Sequence, residues 1–321
     1  MEQKFIVSSS PHIHAEDSIS TIMLDVLIAL IPATICGIYF FGYRAALVIL
    51  TSIAACVLSE YAYQRLMKKP VTVKDCSAIV TGLLLGLNLP PTIPLWMVVI
   101  GGFFAIVIVK QLYGGLGKNF MNPALAARCF MLIAWSQAMT TFIEPNTAID
   151  AVSSATPLAI LKGVGEGSMP SLMQTFLGHT SGCIGETSAA MLLIGFAYLL
   201  IRRVISVRIP LTYILSFGIL MFLFGKNQSG ESQLMFTLLH ITSGGLLIGA
   251  VFMATDYVTT PTTALGQIIF AFGCGILTFV IRRFGGYPEG TSFAIILMNL
   301  VTPLIDSAVI PHKFGEVKRN A

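Results

Sequence analysis

Charge is the scarcest ingredient of this 321-residue chain: Asp, Glu, Lys and Arg make up 11% of it, against 55% hydrophobic residues. Soluble domains carry about 25% charged residues, so this chain lacks the polar surface that would keep it in water. A mean hydropathy of +0.83 points the same way. Lipid is therefore the expected solvent. Other absences narrow the function. The six cysteines, Cys36, Cys56, Cys76, Cys129, Cys183 and Cys274, form no C-x-x-C pair, which excludes a local iron–sulfur or zinc motif. They read as small buried hydrophobes. No basic patch is interleaved with aromatics, so nucleic acid is not an expected partner. His12 and His14 form the only close histidine pair, in a polar N-terminal stretch, while His179, His240 and His312 stand apart. No metal site is expected from that spacing. Neither a glycine-rich nucleotide loop nor a Ser/His/Asp arrangement can be read, so the chain is not expected to bind NADH or to hold a complete active site by itself. Met1–Phe5 lacks a signal-peptide layout, and polar residues continue to Asp17. The first apolar run is accordingly expected to remain as a spanning helix.

What the chain does have is apolar runs. About 20 apolar residues span a bilayer as a helix. Ten segments of that order lie near 22–41, 45–63, 76–89, 93–113, 124–143, 187–205, 209–225, 236–254, 264–283 and 291–309. The expected fold is thus an all-α integral membrane protein of about ten transmembrane helices. The third segment is short and runs into Asn88-Leu89-Pro90-Pro91, and the eighth ends at Thr255-Asp256-Tyr257-Val258-Thr259-Thr260-Pro261. Such endings predict broken or re-entrant helices, whose freed backbone groups must face protein or a cavity. With the N-terminus inside, fourteen of the 19 Lys and Arg fall inside, Lys110 and Arg128 among them, and five fall outside. Basic residues favour the cytoplasmic side, so both termini are expected in the cytoplasm of a multi-pass prokaryotic membrane protein. Arg282 and Arg283 dissent.

Shifting the chain by 171 residues lays Pro90 on Pro261, Gly102 on Gly273, and Tyr113-Gly114-Gly115 on Phe284-Gly285-Gly286. Five helices separate the copies, which predicts two inverted five-helix repeats. The expected organisation is a cytoplasmic segment 1–21, a first repeat 22–143, an extracytoplasmic loop 144–186, a second repeat 187–309 and a cytoplasmic tail 310–321.

The polar centre of the long loop is Asp150-Ala151-Val152-Ser153-Ser154-Ala155-Thr156-Pro157-Leu158. Ser153, Ser154 and Ala155 are small, and Pro157 biases Thr156 away from helical geometry. From the residues alone the stretch is a helix cap or turn. Gly178–Ser188 is either a glycine-rich turn ending in an N-cap at Thr187 or Ser188, or a cradle for an anionic group at a helix start. Asn119 and Asn122, like Thr291 and Ser292, are placed either to cap helices or to line a cavity. Acidic residues near spans are functional candidates by default: Asp25, Glu60, Asp256 and Asp306. Each is also readable as an interfacial residue or partner contact. Asp256, with Thr259 and Thr260 beside a proline-ended helix, is the best placed for a hard cation.

Several stretches in order resemble one family. Ser10-Pro11-His12-Ile13-His14, Ser20–Ala33, Asn122–Arg128, Gly185-Glu186-Thr187-Ser188, Met253–Pro261 and Gly285–Gly290 look like the RnfD component of the Rnf electron-transport complex, of the NqrB/RnfD family. The resemblance runs from about residue 10 to 310. The NqrB component of the sodium-pumping NADH:quinone reductase shares much of the pattern but is typically longer at its N-terminus. The resemblance implies a covalent FMN, esterified through its phosphate to Thr156 in a D-x-x-S-S-A-T motif and facing the periplasm. Ser154 stands where glycine is common; both are small. Beside that tether, the helix-start and small residues Ser153, Ser154, Ala155, Gly185, Glu186, Thr187, Asn119 and Asn122 are the expected cofactor-binding residues, and Asp256, Asp25, Thr259 and Thr260 the expected ion pathway. A non-covalent riboflavin is a possible second flavin. The implied partners are the other components of the same complex: RnfA and RnfE in the membrane, the FMN-bearing RnfG, and RnfB and RnfC in the cytoplasm. The implied function is electron transfer, as part of an ion-translocating ferredoxin:NAD+ oxidoreductase that moves Na+ or H+. The alternatives are the quinone-reductase component and, from another class, a passive channel or secondary transporter.

Overall fold

The structure is a computed structural model that describes residues 18–145, 154–165, 167–227, 230 and 232–310. His12, His14, Asp150 and Ser153 lie outside the described residues. Those residues that are described are all-helical, with no strand among them.

Ser18 caps α1 (Ile19–Leu66), its hydroxyl accepting from Thr21 N at 3.2 Å. At 1.5 Å per residue a straight helix of this length reaches about 72 Å, more than twice the roughly 30 Å of a hydrocarbon core. It is not straight: Gly42 takes φ 68° and ψ −157°, outside helical space. Only glycine enters that region cheaply, so one run of sequence becomes two helical arms. Next come α2 (Ser77–Leu87), α3 (Leu95–Phe103), which continues as a π-helix over Phe104–Gln111, α4 (Pro123–Ala134) and the short α5 (Ser136–Thr140). The loop region holds α6 (Pro157–Leu161) and α7 (Leu172–Leu177). The second half holds α8 (Ala189–Ile201), α9 (Arg208–Phe224), α10 (Gln233–Thr242), α11 (Leu246–Ile248) with a π-helix over Gly249–Met253, α12 (Ala264–Phe284) and α13 (Thr291–Ala308).

By length and composition α1, α12 and α13 can each cross a membrane, and α10 with Leu246–Met253 makes a fourth candidate bent by 62°. That bend sits at Ser243–Gly245, with Gly244 at φ 70°. It falls inside the apolar segment 236–254, where the sequence pattern predicts an unbroken helix with a break only at its end. Segment 124–143 likewise ends its main helix early, at Ala134. Trp135 there takes φ −133° and ψ 55° before the single turn of α5.

The helices pack closely because small residues let backbones meet, the usual device where lipid removes the hydrophobic drive between helices. α2 lies on α1 so tightly that a Cβ on Gly82 would stand 2.7 Å from Ile53 Cα. Ser52 Oγ donates to Gly82 O at 2.7 Å across the same seam. Gly82→Val is expected to destabilise the fold by about 1–3 kcal/mol through overpacking, seen as a lower unfolding temperature in detergent; an unchanged midpoint would contradict this seam. In the second half α9 meets α12 similarly, with Tyr213 OH and Thr278 Oγ1 2.6 Å apart.

Candidate functional site

Thr156 is the N-cap of α6. Its Oγ1 accepts from Ala159 N at 3.2 Å, and Pro157 fills the first helical position, where a missing N–H costs nothing. The cap reading of this stretch therefore holds in the structure. An acceptor role leaves the hydroxyl proton free.

The same threonine stands on the wall of a cavity of about 390 Å³. Its lining comes from six separated parts of the chain: Arg128 and Cys129 of α4, Met139, Thr140 and Phe142, Ser154–Ala159, Thr180–Gly182 with Glu186 and Thr187, Gly244 at the bend, and Tyr287–Glu289 with Ser292 and Phe293. Ser154 is held in place by Ser154 N donating to Phe142 O at 2.9 Å and by its hydroxyl, 2.8 Å from Ser181 Oγ. Lys162, just after α6, donates to Gly285 O and Tyr287 O and ties the Thr156 segment to the turn before α13. Gly244 is there for space: a Cβ on it would collide with Leu158 and Glu289.

The polar wall is a buried charge cluster. Arg128 Nη2 meets Glu186 Oε1 at 2.8 Å, and Nη1 donates to Ser292 Oγ at 2.7 Å. Glu289 accepts from Gly245 N at 2.7 Å, Thr291 Oγ1 at 2.6 Å and Arg282 Nη2 at 3.4 Å. Burial pushes the Glu289 carboxyl up, but Arg282, Arg128 and the Thr291 and Gly245 hydrogen bonds outweigh it and hold the carboxyl down to about 2. Glu186 has fewer such partners, and burial prevails over the attraction of Arg128, so its carboxyl is pushed up to about 7. Arg128 is thus no inside-loop charge: it lies within α4, 8% exposed, beside Thr156. Arg282 is equally misplaced as a loop charge, since it is 3% exposed within α12 and donates to His240 O and Ser243 O.

Of the residues expected around Thr156, the structure brings Ser154, Ala155, Glu186 and Thr187 to this cavity. Gly185 turns away: its N donates to Leu87 O at 2.7 Å, and its Cα packs on Leu87. Asn119 and Asn122 line a second cavity of about 80 Å³, with Ser77, Thr81, Lys110, Thr255 and Asp256. Asn122 caps α4 through Ala124 N at 3.0 Å. With its amide oriented to suit its neighbours, Asn299 accepts from Asn122 N at 3.1 Å and donates to Thr259 O at 3.3 Å. Thr259 Oγ1 reaches Asp256 Oδ2 at 3.3 Å, while the Thr260 hydroxyl donates to Asp256 O at 2.8 Å. Asp25 is elsewhere, accepting from Tyr198 OH at 2.8 Å and pairing with Arg202 at 3.3 Å. Asp306 accepts from Thr262 N at 3.1 Å, and Glu60 pairs with Lys110. No cluster of metal-ligating side chains occurs among the described residues.

Four residues of this site, Arg128, Glu289, Tyr287 and Phe293, are not assigned to it by the sequence, although Arg128, Tyr287 and Glu289 lie in stretches that carry the resemblance. A carboxylate between two glycines in Gly285–Gly290, and an arginine inside an apolar run, are the signs it offers.

Fold and site together define a helical membrane protein with a charged, ligand-sized chamber beside a loop threonine. A profile of the NQR2, RnfD, RnfE family matches residues 6–315. The chain is 49% identical over 320 residues to the D subunit of the Na+-translocating ferredoxin:NAD+ oxidoreductase complex of Acetobacterium woodii, covering 99% of this chain and 97% of that one. It is 46% identical to the D subunit of the proton-translocating ferredoxin:NAD+ oxidoreductase complex of Clostridium ljungdahlii, covering 97% and 96%. It is 41% identical to the D subunit of the ion-translocating oxidoreductase complex of Stutzerimonas stutzeri, covering 95% and 93%. The chain belongs to the NQR2, RnfD, RnfE family.

Proposed function

We propose that this chain is the RnfD component of an ion-translocating ferredoxin:NAD+ oxidoreductase complex and carries FMN through a phosphoester to Thr156. The observation that carries the proposal is the position of the Thr156 hydroxyl on the wall of the 390 Å³ cavity. That volume lies within the roughly 300–1,000 Å³ of small-molecule sites. The residues fit a flavin. Phe142, Leu158, Tyr287 and Phe293 offer apolar and aromatic faces, Arg128 offers a cation, and Gly182 leaves open space where a side chain would stand. When bound, the flavin supplies electron transfer; the protein supplies tether, orientation and electrostatics. Ser154 and Lys162 hold the tether segment, Pro157 presents Thr156, and Arg128 sets the charge of the chamber.

In the same reading the described helices form ten membrane segments in two inverted five-helix halves. α8 to α13 then repeat α1 to α4, with the bend of α1 at Gly42 dividing its two arms. Both termini face the cytoplasm and Thr156 faces outward. The fourteen inside charges become twelve once Lys110 and Arg128 are counted as buried, against four outside without Arg282, so the bias stands. The partners are RnfA, RnfB, RnfC, RnfE and RnfG of the complex. The coupled ion is Na+ or H+, passing by Asp256, Thr259 and Thr260, while Asp25 is tied to Arg202. A second, non-covalent flavin such as riboflavin belongs to the same reading.

The test is the mass of the intact chain purified from a host with the flavin-attaching enzyme. We expect the unmodified mass plus one FMN less water, and fragmentation that localises the addition to Thr156. An unmodified, colourless chain would favour a channel or transporter instead.

A further inference from the structure

Arg128, Glu186 and Glu289 line the cavity and Arg282, buried behind it, donates to Glu289, so the side-chain charges of the ionised cluster sum to zero. Two electrons entering a flavin in this chamber upset that balance. We propose, resting on the reading that the chamber holds the flavin, that Glu186 is the chamber's proton acceptor: it takes up one proton for each electron pair that enters, while Arg128 holds the negative charge left on the ring. Two one-electron iron–sulfur donors of the ferredoxin class are each oxidised once. The ring gains two electrons and one proton, at N5, and becomes a monoanion. The Glu186 carboxylate gains one proton from solvent and becomes a neutral acid. With Glu186 neutral, Arg128, Arg282, Glu289 and the anionic ring again sum to zero, and the single negative charge of the phosphodiester tether is the same before and after reduction.

The geometry separates the two carboxylates. Glu289 is fixed in its ionised form by backbone and hydroxyl donors from Gly245 and Thr291 and by Arg282. Glu186 lines the cavity with one ion partner, Arg128, which is shared with Ser292 and Cys183. A guanidinium released from Glu186 by protonation is free to turn its charge toward the ring. Paired carboxylates whose surroundings push their proton affinities apart are a recurring way to assign one a proton-carrying role. The other titratable groups that face Glu186 are Cys183 on its own loop, Arg128 and Cys129 of α4, and Arg282 and Glu289 from the α12–α13 side. Tyr287 lines the same cavity, and Lys162 donates to its carbonyl. None of the cysteines is a rival acceptor, since none can take a proton in its thiol form. Burial sets the Glu186 window: the carboxyl, pushed up to about 7, is already neutral below that pH and ionised above it.

The experiment is spectroelectrochemical titration of the flavin on the full-length chain in detergent from pH 6 to 9. For a two-electron couple, a tenfold change in proton concentration moves the midpoint by about 30 mV for each proton taken up. The slope is expected to steepen above about pH 7, from about 30 to about 60 mV per pH unit, because Glu186 then adds its proton to that of the ring. In Glu186→Gln it should stay near about 30 mV per pH unit throughout. Equal slopes in the two proteins, or a wild-type slope that flattens with rising pH as titration of the ring itself would give, would overturn the proposal. If Glu186→Gln does not fold, redox-difference infrared spectra of the wild type decide: reduction at pH 8 should bring up a protonated-carboxyl band, and its absence overturns the proposal. A chain without flavin at Thr156 overturns the underlying reading, and this one with it.

Discussion

Thr156→Val is expected to abolish the flavin-fluorescent band of the denatured chain completely, because the phosphoester needs the hydroxyl oxygen and valine has none. The variant carries a second, smaller effect. Thr156 Oγ1 also caps α6, and losing a threonine cap costs about 0.5–2 kcal/mol. Thr156→Asn separates the two roles, since asparagine caps as well as threonine but offers no hydroxyl. It should give a folded, non-fluorescent chain with an unshifted unfolding temperature, whereas Thr156→Ser should keep both cap and fluorescence. In-gel fluorescence and intact mass read all three variants. A band that persists in Thr156→Val moves the attachment to another residue.

Lys110→Met should be the most damaging single change to stability. Lys110 and Glu60 are 2% and 1% exposed at their side chains and lie 3.1 Å apart. Glu60 also accepts from Gln111 at 2.7 Å and Gln64 at 3.3 Å, and Lys110 donates to Ser77 at 2.6 Å. Removing the lysine leaves a carboxylate buried without its cation, a loss of about 3–5 kcal/mol, whereas replacing both partners is often close to neutral. Lys110→Met with Glu60→Gln should therefore recover most of the unfolding temperature lost in Lys110→Met. A double variant as unstable as the single one would show that the two residues do not act as a pair.

Much of the helical layout is legible from apolar runs, because lipid demands long apolar helices and punishes everything else. Asn88-Leu89-Pro90-Pro91 announces the end of α2 in the same way. The bend at Ser243–Gly245 is not legible. A double glycine inside an apolar run is compatible with a continuous helix, and only the packing of Gly244 against Leu158 and Glu289 shows why it must turn. The site is half visible. The Ser154–Pro157 and Glu186–Thr187 stretches stand out as polar islands, and both reach the cavity. Arg128 does not, because a count of basic residues assigns every arginine to a loop. Its partners Glu186 and Ser292 lie 58 and 164 residues away in sequence, so no local spacing could join them. Asn119 and Asn122 have the right character for a binding site but belong to the other chamber.

Asn122 and Arg128 are six residues apart on α4, about 9 Å along the axis at 1.5 Å per residue, and each lines a different cavity. A helix is stiff along its axis, and the closely packed interior around it compresses little. α4 is therefore a rod with one chamber at each grip. Asn122 N donates to Asn299, whose amide donates in turn to the carbonyl of Thr259 beside Asp256, so the Arg128 wall and the Asp256 wall are joined through α4. The two chambers therefore share one helix as a common wall.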